Sequence, residues 1–275
     1  MPDLTPLERV ISTYHSMLVG FSGGVDSALL AVAGRKVLGK DKCVAALGCS
    51  PSLARLQRRR ARDLALEFDL ELLEVNTGEL DDPSYAANPT NRCYFCKREL
   101  WSVLVPIARE RGLEVIADGT NKSDLGGHRP GRAAAVEVDV RSPLVESGYS
   151  KARVRAEARA LGIPIWNAPS SPCLSSRIQF GLEVTPARLR QVEDGEDILR
   201  SMGVAGDLRV RHRGDEARIE VLPAEFEKVR SGKDRIAALF AELGFERVTL
   251  DLKGYRSGSL LAAGTSDLEL ISVAG

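Results

Sequence analysis

Histidine, net charge and long apolar runs are what this sequence has least of. Three histidines are scattered over 275 residues, which is weak ground for acid–base chemistry. Lys+Arg and Asp+Glu both number 38, so the net charge is zero. A protein that lives on nucleic acid usually carries a basic excess, so nucleic acid is disfavoured as a partner. The one basic run, "RLQRRRARDL", is read as a solvated helix face. No apolar run approaches the ~20 residues of a membrane span. The opening "MPDLTPLERV" lacks the charged-then-apolar layout of a secretory signal. No membrane partner is expected, and the expected compartment is cytoplasmic. Thiols stay reduced there, so the five cysteines point to metal binding or chemistry before disulfides.

What is present reads as an α/β chain. Over the first 165 residues short apolar runs alternate with longer amphipathic ones. "HSMLVGFS", "KCVAALGCS", "LELLEVN" and "LEVIADGTN" read as strands. "DSALLAVAGRKVL", "SLARLQRRRARDLALEFDL", "KRELWSVLVPIARERG" and "YSKARVRAEARALG" read as helices. Such alternation implies a parallel sheet covered on both faces, with ligands beyond the carboxyl ends of its strands. Residues 76–96 are turn-rich. Near residue 180 the pattern changes to helix, hairpin across Arg213–Asp215, helix and strand. Two domains are expected: 1–180, and a smaller α+β unit over 181–275 whose last ten residues are expected to be poorly ordered.

Ser22-Gly23-Gly24-Val25-Asp26-Ser27 follows the first strand and opens a helix. Glycines allow close backbone approach to an anion. The helix start adds N–H donors and partial positive charge, and Ser22 and Ser27 add hydroxyls. Together these make a phosphate cradle. Asp26 would repel phosphate unless a cation intervened, which implies Mg²⁺. The loop lacks the Gly-Lys-Ser/Thr ending of a Walker loop. A second strand-end element, "DGTNKSD" over 118–124, puts Asp118, Asn121 and Asp124 toward the same crevice. Its plainer reading is an Asx turn.

The cysteines fall into two groups. Cys43 and Cys49 lie in an apolar strand, where cysteine is commonly a small buried hydrophobe. Cys93, Cys96 and Cys173 are read in polar loops. The two-residue gap between Cys93 and Cys96 lets both sulfurs face one metal. With Cys173 as third ligand, a zinc site, an iron–sulfur cluster with one free iron, and a redox dithiol with a separate nucleophile all remain open. Arg177, four residues past Cys173, and Lys97, next to Cys96, could hold a substrate anion or simply be solvated.

"SGGVDS" resembles the pyrophosphate loop of PP-loop ATP pyrophosphatases, with their adenine nucleotide alpha-hydrolase-like fold. "RCYFCK", "HRPGR", "PCLSSRIQFG", "LRVRHRGDEARIEV" and "LDLKGYRSG" extend the resemblance over nearly the whole chain. Together they resemble the ATP-dependent sacrificial sulfur transferase (LarE) family. The resemblance implies that the first domain adenylates the carboxylates of pyridinium-3,5-biscarboxylic acid mononucleotide. Conversion to thiocarboxylates then serves the nickel-pincer cofactor of lactate racemase. Ser22, Gly23, Gly24, Asp26 and Ser27 match the pyrophosphate loop, and Cys173 the sulfur-handling cysteine, with Ser176 and Arg177 beside it. Arg209 and Arg211 match arginines that grip the substrate phosphate, with Arg256 assisting. Glu196 and Glu220 match acidic positions suited to metal. Single-cysteine members lack the Cys93/Cys96 pair. Three cysteines resemble the variant that carries a [4Fe–4S] cluster fed by sulfide or another sulfur donor, with a sacrificed Cys173 or a persulfide relay as the alternatives. A homo-oligomer, hexamers included, is implied by the same resemblance. A tRNA thiolase is opposed by the charge balance, and an amide-forming ligase with structural zinc by the lack of any ammonia source.

Overall fold

The computed structural model describes residues 4–126, 129–169, 172–256 and 267–273. The chain divides into two compact units. One comprises Met1–Tyr85 with Asn91–Ser171; the other comprises Ala86–Thr90 with Pro172–Gly275.

In the first unit, α1 (Pro6–Ile11) leads into β1 (Met17–Gly20), α2 (Val25–Leu38), β2 (Cys43–Cys49), α3 (Arg55–Glu67) and β3 (Glu71–Asn76). After a short helix, α4 (Pro83–Ala86), come α5 (Arg92–Glu110), β4 (Val115–Ala117), α6 (Gly131–Val136), α7 (Pro143–Glu146) and α8 (Lys151–Ala160). The four strands are all parallel, in the order β3-β2-β1-β4. The continuous apolar strands have the physical reason expected. Met17 and Val19 enter a core with Leu29 and Leu30 of α2. Leu18 enters a second core on the opposite face with Trp101 and Leu104 of α5. A strand buried on both faces has no polar side to show.

In the second unit, α9 (Pro186–Ser201) precedes β5 (Leu208–Arg213), β6 (Glu216–Val221), α10 (Phe226–Ser231), α11 (Lys233–Glu242), β7 (Arg247–Asp251) and β8 (Leu268–Val273). These strands form a mixed sheet, β5-β6-β7-β8, antiparallel except for β6–β7. Val210, Ile219 and Leu250 enter the core with Phe240 and Phe245. The alternate positions carry charge: Arg209, Arg211, Arg218 and Glu220 are all buried.

Two expectations need correction. Cys93 and Cys96 lie within α5, which begins at Arg92 rather than at Lys97. The turn-forming run ends at Asn91, and no glycine or proline interrupts 92–105. Of the last ten residues, expected to be poorly ordered, Leu268–Val273 form β8, paired with β7. Arg230 of α10 binds both carboxylate oxygens of Glu269, at 2.9 and 3.1 Å from its Nε. Among the described residues, no helix is long and apolar enough to cross a membrane.

Candidate functional site

The glycine loop closes on itself through hydroxyls. The Ser22 backbone N–H donates to Ser27 Oγ at 3.1 Å, and Ser27 Oγ donates to the Gly24 carbonyl at 3.1 Å. The two serine hydroxyls are 3.2 Å apart. Gly23 has φ +69°, and a Cβ there would lie 3.1 Å from that of Ala61, so the loop tip requires glycine twice over. Gln57 of α3 ties the loop down by donating to the Ser22 carbonyl at 3.1 Å.

Within 118–124 the three candidates do different things. Asn121 reaches the glycine loop, its Nδ2 donating to Asp26 Oδ1 at 3.0 Å. Asp118 shapes its own turn, accepting from the Thr120 amide and hydroxyl and from the Ser142 hydroxyl. Asp124 accepts from the Asn121 amide and pairs with Arg129 at 2.7 Å. Gly119 packs this element onto the start of α2: a Cβ there would sit 2.8 Å from the Ser27 amide nitrogen. A cavity of about 160 Å³ opens over Ser22, Gly23, Gly24 and Asp26, walled by Gln57, Arg60, Lys151 and Pro169. Lys151 pairs with Asp26 Oδ2.

Elsewhere in this unit, Cys93 is exposed and Cys96 half-buried. They are three residues apart in the first turns of α5, so they share one helix face. The Lys97 ammonium lies 5.3 Å from the centre of the Trp101 ring. Cys43 and Cys49 are buried in β2, and burial pushes the Cys43 thiol up to about 12. Neither is a nucleophile at neutral pH.

In the second unit, Cys173 precedes a 3₁₀ turn over Leu174–Arg177. Its carbonyl accepts from the Ser176 amide at 3.0 Å, the Ser176 hydroxyl at 2.7 Å and the Arg177 guanidinium at 3.0 Å. Arg177 is 2% exposed and pairs with Glu196 of α9 at 2.9 Å. Arg211 pairs with Glu220 at 2.8 Å and donates to the Ser176 carbonyl at 2.8 Å. Arg209 lies 5.1 Å from the Tyr255 ring centre, and burial with the Arg177 charge holds its pKa below the ordinary value. Arg256 pairs with Asp251 at 3.4 Å. This constellation therefore has four guanidinium groups against the carboxylates of Glu196, Glu220 and Asp251. The excess is positive, as an anion site needs.

A family model for NAD synthase matches residues 7–93, the stretch from α1 to the start of α5. An uncharacterized protein of Synechocystis is 42% identical over 94% of this chain and 96% of its own length. The pyridinium-3,5-bisthiocarboxylic acid mononucleotide synthase of Lactiplantibacillus plantarum is 36% identical over 92% of each chain. This chain belongs to the LarE family. An uncharacterized protein of Methanocaldococcus jannaschii is 29% identical over 88% of this LarE-family chain.

With the LarE family shown, the first unit's parallel sheet is that of a PP-loop domain, and Ser22–Ser27 lie within the stretch that the NAD synthase model matches. The donor kinds also suit the expected metals. Asp26 with neighbouring hydroxyls suits a hard cation, and three thiols suit iron. Among the described residues, however, no three His, Cys, Asp or Glu side chains converge as a metal site. Glu196 accepts from Arg177 on both carboxylate oxygens, and Glu220 Oε2 accepts twice from Arg211, so arginines already engage both candidate metal acids. His128, part of the resemblance through "HRPGR", lies outside the described residues, as do Ser257 and Gly258 of "GYRSG". Sequence reasoning missed Gln57, Arg60 and Lys151. The first two sit on a helix read only as basic. Lys151 had one available signal, a cation placed directly after the capping Ser150.

Proposed function

We propose that this chain is an ATP-dependent sulfur transferase acting on pyridinium-3,5-biscarboxylic acid mononucleotide for nickel-pincer cofactor synthesis. The observation that carries the reading is 36% identity, over 92% of both chains, to the L. plantarum bisthiocarboxylate synthase. A PP-loop cavity of the right chemistry supports it.

A carboxylate is a poor electrophile at neutral pH. Attack of its oxygen on the α-phosphorus of ATP gives an acyl adenylate and releases pyrophosphate. Ser22, Gly23, Gly24 and Ser27 hold the departing pyrophosphate by N–H and hydroxyl donors. Asn121 orients Asp26, Asp124 holds the Asn121 backbone, and Asp118 fixes the turn that leads into it. Asp26 would hold Mg²⁺, which neutralises phosphate charge when bound. Sulfur then attacks the acyl carbon and AMP leaves with both electrons of the acyl–oxygen bond. Arg209 and Arg211, assisted by Arg256, hold the substrate phosphate. Ser176 and Arg177 fix the backbone of Cys173, where sulfur is delivered, and Lys97 supplies a cation beside the cysteine pair. Cys93, Cys96 and Cys173 would be the ligands of a [4Fe–4S] cluster, which supplies an iron able to carry sulfide.

Anaerobic protein given ATP, Mg²⁺, sulfide and the dicarboxylate mononucleotide should release pyrophosphate and yield thiocarboxylate, both read by mass spectrometry. C173A should keep pyrophosphate release and lose thiocarboxylate. Loss of both, with ATP binding intact, would show that adenylation and sulfur delivery are not separate tasks. Iron bound to the purified protein, with an intact mass unchanged by turnover, supports the cluster. An iron-free protein that loses about one H₂S in mass supports a sacrificed Cys173.

A further inference from the structure

We propose that Lys151 is a further ligand of the nucleotide. Its ammonium leaves Asp26 for the β- and γ-phosphate oxygens when ATP enters the cavity. This rests on reading the cavity over Ser22–Asp26 as the ATP site.

The placement is specific. Lys151 lines the same cavity as the glycine loop, and its Nζ lies against Asp26 Oδ2. Asp26 keeps a separate partner on its other oxygen, Asn121 at 3.0 Å, so it does not depend on Lys151 for its orientation. The backbone of Lys151 is anchored independently of its side chain. Its amide donates to Ser123 Oγ at 3.1 Å, and Ser150 caps the helix through the Arg153 amide at 3.4 Å. The ammonium can therefore change partner while the residue stays in place.

The position is a poor one for a lysine with only a structural task. It is the first residue of α8, whose first turn carries no acid. The helix dipole disfavours a cation there. The Lys151 and Asp26 side chains are 37% and 23% exposed. An ion pair that open to water contributes little to stability. What the pair does is electrostatic and local. An unshielded Asp26 at the mouth of a phosphate cradle would repel the nucleotide's tail. Lys151 cancels that charge in the empty site and offers a mobile cation to a polyphosphate that enters. Phosphate carries more charge and more acceptor oxygens than one carboxylate, so the exchange runs toward the nucleotide.

Calorimetric titration of ATP, pyrophosphate and AMP into the wild type, K151M and K151R tests this. K151M should weaken ATP and pyrophosphate at least about tenfold and leave AMP within about twofold, while K151R restores most of the loss. In a D26N background, K151M should still weaken pyrophosphate several-fold. A lysine that acts only by holding Asp26 would add nothing there, and that result overturns the assignment. So does a K151M protein that binds pyrophosphate like the wild type, or that loses AMP and pyrophosphate equally. A wild type that binds neither ATP nor pyrophosphate overturns the ATP-site reading together with the lysine. A wild type that binds both, beside an unaffected K151M, overturns the lysine alone.

Discussion

His212 shows how much one side chain of the second unit can do. Gln191 donates its Nε2 to the Leu243 carbonyl at 2.7 Å, which leaves its Oε1 facing His212 Nε2 at 2.9 Å. The imidazole proton therefore sits on Nε2. Nδ1 is buried without a hydrogen-bond partner among the described residues. Protonating it would put a charge into an apolar site against the Phe245 ring. Burial, with the Arg188 charge adding, lowers the His212 pKa to about 4. An unfolded histidine titrates near 6.5. The folded value is the lower one, so the contribution to stability is complete above pH 6.5. It falls as the unfolded chain takes up its proton and is lost as pH approaches 4. Between pH 7 and 4.5 the loss should be about 2 kcal/mol. Urea melts of the wild type and H212Q at both pH values check this. The stability gap between the two proteins should shrink on acidification, and a gap independent of pH would remove His212 as the cause.

Among the elements, α9 matters because it holds the Cys173 turn. Glu196 faces Arg177 from the turn and accepts the Val210 amide of β5 at 3.4 Å. Three elements thus meet on one buried carboxylate. E196A would leave the Arg177 guanidinium buried without that carboxylate, a loss of about 3–5 kcal/mol. Equilibrium denaturation should show it, and a loss below about 1 kcal/mol would place water on Arg177 instead. The elements also show what could be read in advance. Strands β1 and β2, α2 after the glycine loop and the β5–β6 hairpin were legible because apolar period and turn residues agreed locally. The start of α5 was not, because a Cys-X-X-Cys pair in a polar run suits a metal loop and a helix turn equally. Strand β8 was not either: its pattern is weak, and its hydrogen bonds come from β7 and its ion pair from α10. Of the site, the PP-loop was visible as a motif. That Asn121 alone of its loop's three candidates touches Asp26 was not, because Asp118 and Asp124 differ from it only by tertiary partners.

At the scale of the molecule, the least legible feature is the route of the chain. Residues 86–90 sit in sequence between β3 and α5 of the first unit, yet belong to the second. Asn88 explains why. It is fully buried with φ +55°, and its side-chain amide donates to the carbonyls of Gln179 at 2.8 Å and Leu182 at 2.9 Å. Its own carbonyl accepts the Gly181 amide, and the Ala86 carbonyl accepts the Val184 amide at 2.8 Å. No periodicity predicts that a five-residue segment will close the base of a unit that starts more than eighty residues later. The consequence is that residues 172–275 are not a complete folding unit. Expressed alone, they would bury the carbonyls of Gln179 and Leu182 and the amides of Gly181 and Val184 without partners, or open that edge to water. Each lost bond costs about 1 kcal/mol, more where the group stays buried. A small unit with stability of a few kcal/mol does not survive several such losses. The fragment 172–275 should therefore unfold without a cooperative transition, or with one weakened by about 3 kcal/mol or more. The same fragment preceded by residues 86–90 on a flexible glycine–serine linker should recover it. Chemical denaturation followed by circular dichroism distinguishes the two. Equal midpoints for both fragments would show that Asn88 merely decorates the second unit, and that the boundary lies where the order of the sequence puts it.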